Sequence, residues 1–145
     1  MGKVDVRKIK ITDYNEIYSL NQELGYMYPL EKVKDRISYI TEYTKDIIFV
    51  AEQDNEVIGY IHGSPYELLY SDSLINILGF VVKEKYRSNG VGSVLISSLE
   101  NWAKENGYSG VRLVSGADRL NAHRFYQKHG YINRKNQKNF IKVFE

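Results

Sequence analysis

The segment Lys83–Leu95, KEKYRSNGVGSVL, places an arginine and two glycines between one apolar stretch and the next. A strand that passes through a glycine-bearing turn into a helix leaves N–H groups with no intrahelical partner. The helix dipole adds about half a positive charge at that point, and glycine lets a ligand come close to the backbone. Such a helix start suits an anion, typically phosphate, and Arg87 would add a charged donor. The Walker pattern G-x-x-x-x-G-K-[ST] is absent. The dinucleotide fingerprint fails too, because Gly90-Val91-Gly92 is followed by Ser93, Val94 and Leu95 with no third glycine. Taken alone, the turn reads equally well as a helix start without a ligand. Other chemistry is sparse. His62, His123 and His129 are never three or four residues apart and cysteine is absent, so no metal is expected and a cysteine nucleophile is excluded.

The elements around this turn follow from periodicity. Val4 to Ile11 reads as a strand whose parity slips between Val4/Val6 and Ile9/Ile11, as a bulge would cause. Asp13, with Glu16 three residues on, suits a helix cap; Ile17, Leu20 and Leu24 then follow at helical spacing up to Gly25. A second helix after Pro29 carries Leu30, Val33, Ile37 and Ile40 on one face. DIIFVAEQ, a turn at Asp54-Asn55, and EVIGYIHG form a hairpin. PYELLYSDS reads as a loop, and Leu74–Val82, LINILGFVV, as a buried central strand. A helix runs from Gly90 to Gly107, a strand covers Val111–Ser115, and a short helix bearing Ala122, Phe125 and Tyr126 stops at Gly130. NFIKVFE closes the chain as a last strand. The order β-α-α-β-β-β-α-β-α-β describes a mixed α/β sheet, antiparallel early and with a parallel crossover at its centre.

Bulk properties narrow the class. The 145 residues suit a single domain over 1–145, large enough to bury a core without staples. A net charge of +2 is too small to argue for nucleic acid. No stretch approaches the roughly 18 unbroken apolar residues of a membrane span, and MGKVDVRKIK has no apolar signal core. With no cysteine, a cytoplasmic location and no membrane or nucleic-acid partner are expected.

Two motifs in order then carry a resemblance. FVVKEKYRSNGVGSVL resembles the central motif of the GCN5-related N-acetyltransferases, an apolar strand followed by Q/R-x-x-G-x-G/A opening a helix, with Arg87, Gly90 and Gly92 on its positions. NAHRFYQKHGY resembles the family's next motif, A-x-x-F/L-Y-x-x-x-G-F/Y, with Ala122, Phe125, Tyr126, Gly130 and Tyr131 matching. LNQELGY and the DIIFVAEQDNEVIGY hairpin are similar to the same family, so nearly the whole chain is covered. Within the family, the closest look is to acetyltransferases of small amines.

The resemblance implies an acetyl-CoA-dependent N-acetyltransferase fold and activity, with a small-molecule primary amine as acceptor and acetyl-CoA as donor. Arg87, Ser88, Asn89, Gly90, Val91, Gly92 and Ser93 would wrap the pyrophosphate. Phe80, Val81 and Val82 would run beside the pantetheine arm, Val82 as its main-chain partner, and the Phe80 N–H would face the thioester carbonyl. Tyr126 would protonate the leaving thiolate, Phe125 would pack, and Arg119 stands where many members have asparagine. Asn121 is either a cofactor contact or a helix cap. Asn76 occupies the position where many members carry a glutamate base. Either a water chain anchored by Asn76 takes the proton, or a carboxylate such as Glu23, Glu67 or Asp72 does, or catalysis is lost and a CoA-binding sensor or structural protein is left. A protein or peptide acceptor is a further alternative. The resemblance also implies a homodimer as one outcome, since small members often pair.

Overall fold

The computed structural model describes residues 2–144, and the chain divides into two compact units, residues 1–112 and 113–145.

The first unit is built on a five-stranded sheet in the order β1-β2-β3-β4-β5. Its strands are β1 (Asp5–Lys8), β2 (Ile47–Gln53), β3 (Glu56–Tyr66), β4 (Leu74–Val82) and β5 (Val111–Arg112), joined by α1 (Tyr14–Glu23), α2 (Leu30–Tyr43) and α3 (Val91–Glu105). Neighbours β1 to β4 pair antiparallel, and β4 pairs with β5 in parallel through the α3 crossover. The β2–β3 turn is set by Asp54 and Asn55, both left-handed at φ 52° and 65°, as a two-residue hairpin loop requires. Gly25, at φ +91°, ends α1: its N–H donates to the Gln22 carbonyl and the Tyr26 N–H to the Asn21 carbonyl.

Each face of the sheet buries its own apolar set. On one, Ile17, Leu20, Val33 and Ile37 of α1 and α2 pack with Val50, Val57 and Val81. On the other, α3 turns Val91, Leu95, Leu99 and Ala103 inward at intervals of four residues, with Ile96 beside them. α3 sits so close that a Cβ on Gly63 would lie 2.8 Å from Ile75 Cγ2 and 2.9 Å from Leu99 Cδ1. The β3–β4 register shifts between His62 and Gly63, which pair with Gly79 and Ile77 and leave Leu78 as an extra residue on β4. This bulge bends β4.

Four expectations are corrected. The first strand stops at Lys8 and Ile11–Asp13 is a single 3₁₀ turn, so the parity slip marks the strand's end and not a bulge. Asp13 makes no side-chain cap on α1; its carboxylate accepts from the Lys10 N–H at 2.7 Å and from both Arg7 terminal nitrogens at 2.9 Å. β5 is two residues long, since its pairing stops at Asn76, just before β4 bends at the bulge. β3 runs to Tyr66, into the segment read as loop.

The second unit holds α4 (Leu120–Lys128), ended by Gly130 at φ +88° with the Tyr131 N–H donating to the Tyr126 carbonyl. The expected closing strand is absent over residues 139–144, and Glu145 lies outside the described residues. No described strand pairs with that segment, and β propensity without a cross-strand partner does not make a strand.

Candidate active site

The turn between β4 and α3 is shaped by main-chain geometry. The Lys83 N–H makes the last bond to β3, to the Ile58 carbonyl at 2.7 Å. Glu84–Tyr86 then forms one 3₁₀ turn, and Ser88 and Gly90 are left-handed at φ 69° and 85°. Gly90 is the residue before α3, and a Cβ added there would meet nothing within 4 Å. No protein atom therefore crowds the Cβ side of the residue that precedes the helix. The Val94 N–H closes the first helical bond to the Gly90 carbonyl, so the Val91 and Gly92 N–H groups have no acceptor in the helix. Val91's side chain is core, which leaves its N–H as its means of contact. Ser88 and Asn89 are exposed, and Ser93 sits in the first turn of α3.

Arg87 is placed differently from expectation. Its Nε–H donates to the Val82 carbonyl at 2.8 Å, and one terminal nitrogen lies 3.5 Å from Glu23 Oε1. The arginine therefore ties the turn to the end of β4 and to α1, and it takes the Val82 carbonyl expected to meet the ligand arm. Glu23 also accepts from the Glu84 N–H at 2.8 Å. Beside them Lys83 donates to Glu56; that hydrogen bond holds the Glu56 carboxyl below its usual value and the Lys83 ammonium above its own.

Along β4 the antiparallel alternation sets which groups face which edge. Given the Lys83 bond to Ile58 and the pairs Gly59–Val82 and Tyr60–Val81, Val81 turns its main chain toward β3, while Phe80 and Val82 turn theirs to the opposite edge. β5 pairs with β4 only at Ile75 and Asn76, so Phe80 and Val82 lie on the part of that edge beyond the parallel pairing. Val81 is corrected: its main chain bonds β3 and its side chain is buried in the α1–α2 core, so it cannot serve a ligand on the other edge.

Asn76 is half-buried, and its Oδ1 accepts from Arg112 Nη1 at 2.7 Å. The Arg112 guanidinium lies over the Tyr66 ring, 4.3 Å from its centroid. Of the carboxylates considered as bases, Glu23 is engaged at the turn, Glu67 accepts from the Ser73 hydroxyl at 2.6 Å, and Asp72 is exposed. Arg112 was missed because only the β4–β5 register pairs it with Asn76. Two further polar pairs were missed: the Tyr60 hydroxyl donates to Asn21 Oδ1 at 2.6 Å, and His62 Nε2 lies 2.8 Å from Asp46 Oδ2. Burial and the nearby Tyr26 push the Tyr60 phenol up to about 12.

In the second unit, Arg119 stands at the start of α4 and Asn121 within its first turn. Asn121 does not cap the helix: its Oδ1 accepts from Arg124. The Phe125 ring meets Tyr126 edge-on at 5.6 Å, and Tyr126 meets Tyr131 at 5.9 Å. Burial raises the Tyr126 phenol above its ordinary value, with Arg119 acting in the opposite direction. His123 Nε2 lies 2.8 Å from the Gly116 carbonyl, so the ring is bonded locally and not simply a solvated surface group. Among the described residues no group of three or more His, Cys, Asp or Glu is placed to hold a metal ion, and no helix is long and apolar enough to cross a membrane.

A bulged central strand that runs through a left-handed glycine into a helix, with a parallel crossover to a short neighbour, gives a mixed α/β fold whose central helix starts beside the end of that strand. The profile of the acetyltransferase (GNAT) family matches residues 12–131. YhdJ, an uncharacterized N-acetyltransferase of Bacillus subtilis (strain 168), is 25% identical over 114 residues, 79% of this chain and 80% of its own. Streptothricin acetyltransferase A of the same organism is 31% identical over 100 residues, 66% of this chain and 53% of its own. Among solved structures, an aminoglycoside N-acetyltransferase in complex with CoA superposes with a TM-score of 0.88 at 18% identity, covering 98% of this chain and 96% of that one. The chain belongs to the acetyltransferase (GNAT) family and is an N-acetyltransferase.

Proposed function

We propose that the protein moves an acetyl group directly from acetyl-CoA to a primary amine of a small molecule. The observation that carries this reading is that the Phe80 and Val82 main chain, turned away from β3, leads through an exposed turn to the Val91 and Gly92 amides at the start of α3. A Cβ on Gly90 would meet nothing within 4 Å, and a helix start of this kind suits a diphosphate. Acetyl-CoA, when bound, supplies the activated thioester. Residues Ser88 to Ser93 hold the phosphates in a turn braced by Arg87, and the Phe80 N–H donates to the carbonyl oxygen as charge develops there. Such donors are worth roughly 3 kcal/mol. Tyr126 gives its proton to the departing thiolate, the role that the family pattern assigns it, with Arg119, Asn121 and Phe125 near it on α4. With no cysteine, transfer has no cysteinyl intermediate. Asn76 is engaged by Arg112, Glu23 by the turn and Glu67 by Ser73, and Asp72 is exposed; in this reading the amine proton leaves to solvent water and the rate rises with pH as more amine is neutral.

The relatives named for streptothricin and aminoglycosides support a small-molecule acceptor. A single domain, a cytoplasmic location and a homodimer complete the reading; light scattering checks the last. Thiol release with acetyl-CoA over a panel of amines and peptides, with mass detection of products, tests the proposal. Acetylated small amines are expected. Binding of acetyl-CoA without turnover would favour a sensor role, and acetylation of peptides alone would overturn the small-molecule assignment.

A further inference from the structure

Resting on the transfer reading above, we infer that the acceptor carries an anionic group, a carboxylate or a phosphate-type oxyanion, which is held by Arg112 with Asn76 on the face of β3–β5 away from α3.

The sheet's two faces are distinguished by their contacts. Gly63 and Ile75 face α3, beside Leu99, while Val81 packs with α1 and α2 and the Tyr60 ring lies over Gly79. Side chains alternate along a strand, so Asn76, next to Ile75, lies on the face away from α3. Without the extra residue at Leu78, Asn76 would share the α3 face with Phe80; the bulge moves it to the same face as Gly79 and Tyr60. Ser64 pairs with Asn76 across β3–β4, and Arg112 pairs with Asn76 across β4–β5.

This face presents donors. Asn76 Oδ1, its one side-chain acceptor, already takes a hydrogen from Arg112 Nη1 at 2.7 Å, which turns the amide NH₂ outward as a donor. The guanidinium is fixed by that bond and by stacking at 4.3 Å on Tyr66. It is half-buried, and none of the ion pairs among the described residues includes it. Asp46 is paired with His62, and Glu67 accepts from the Ser73 hydroxyl. A guanidinium held in plane with donors left over fits two oxygens of a carboxylate or phosphate, and holding it in advance reduces the entropy lost on binding. The same arrangement repels a polycationic acceptor. Phe80 lies four steps along the strand from Asn76, about 13 Å before the bulge shortens it, so amine and anion are several bonds apart in the acceptor.

The test compares ω-amino carboxylates and ω-aminoalkylphosphonates of about four to six carbons, lengths set by that spacing less about 3 Å of contact at each end, with n-alkylamines of equal length. Wild type is expected to favour the anionic series by roughly 10- to 100-fold in kcat/KM, the size of a charged hydrogen bond. Arg112→Met should raise KM for the anionic series by a similar factor while n-alkylamines and acetyl-CoA affinity stay within about twofold, and Arg112→Lys should restore part of the loss. Preference for carboxylate over phosphonate, or the reverse, names the anion. Equal losses for both series, or faster turnover of the n-alkylamines by wild type, overturns the inference. If no amine is acetylated, the transfer reading fails by itself. The site is then judged on the wild-type Arg112 Nε–H resonance during titration with 4-aminobutyrate and 4-aminobutylphosphonate. A saturable shift supports the site, and no shift overturns it.

Discussion

Replacing Tyr126 by phenylalanine removes one oxygen and keeps the ring. The contacts of that ring with Phe125 at 5.6 Å and Tyr131 at 5.9 Å are ones phenylalanine also makes, so the variant should keep its fold. Burial holds the Tyr126 phenol above its ordinary value, against the pull of Arg119; at neutral pH it is protonated and able to donate. A positioned general acid contributes roughly 10²- to 10⁴-fold. The leaving thiolate, of a thiol with pKa near 8.5, departs tolerably without a proton, so the low end applies. The expected loss is about 10²-fold in kcat, or about 2.7 kcal/mol of barrier. A group that acts only in the transition state leaves ground-state binding alone, so acetyl-CoA affinity should hold within about twofold. Steady-state thiol release at saturating acetyl-CoA, paired with calorimetry, reads both quantities. A kcat within about threefold of wild type, or a loss that appears in acetyl-CoA affinity instead, would refute the acid role. The alkaline limb of wild-type kcat should lie above the ordinary phenol value, because activity falls only as the raised phenol loses its proton.

Gly90→Ala meets no steric clash but forces φ +85° on an L-residue; a cost of about 1–2 kcal/mol is expected, relieved by distortion of the turn, so acetyl-CoA affinity should fall roughly tenfold in calorimetry while most of the fold survives. Gly63→Ala puts a methyl within 2.8 Å of Ile75 and 2.9 Å of Leu99 and should destabilise by about 1–3 kcal/mol in denaturant melts, with acetyl-CoA affinity unchanged in the folded fraction. For Asp13, burial raises the carboxyl, but the Arg7 and Lys10 hydrogen bonds more than offset it and leave the folded value depressed. The pair's stabilisation is therefore complete above the unfolded value near 3.9 and lost as pH falls through the folded one; Asp13→Asn should lose about 3 kcal/mol at pH 7 and show a flatter acid limb in thermal melts.

Much of this was legible from spacing. The two-residue turn at Asp54-Asn55, the glycine stops at Gly25, Gly107 and Gly130, and the apolar run Leu74–Val82 each announce an element locally, and their order implies the crossover. What was not legible depended on register. The extra residue at Leu78 cannot be read from LINILGFVV, because a continuous apolar run carries no parity to interrupt; yet it decides which face Asn76 occupies. Arg112 met Asn76 only once β5 was placed. Arg87 looked like a phosphate donor from type and position, and its bond to the Val82 carbonyl depends on how the turn folds back. Asp13 likewise had the right type for a cap but found Arg7, whose position on β1 the helix pattern does not reveal. The segment 139–144 shows the converse, a strand-like composition for which the described chain supplies no partner.

The central claim is that the β4 edge and the start of α3 together bind acetyl-CoA. The most direct measurement is an amide ¹H–¹⁵N titration of the intact wild-type protein with acetyl-CoA. The account expects saturable shifts at Phe80 and Val82 and from Ser88 through Ser93, with Val81, turned toward β3, much less affected. No saturable binding, or shifts confined to other parts of the chain, would contradict it.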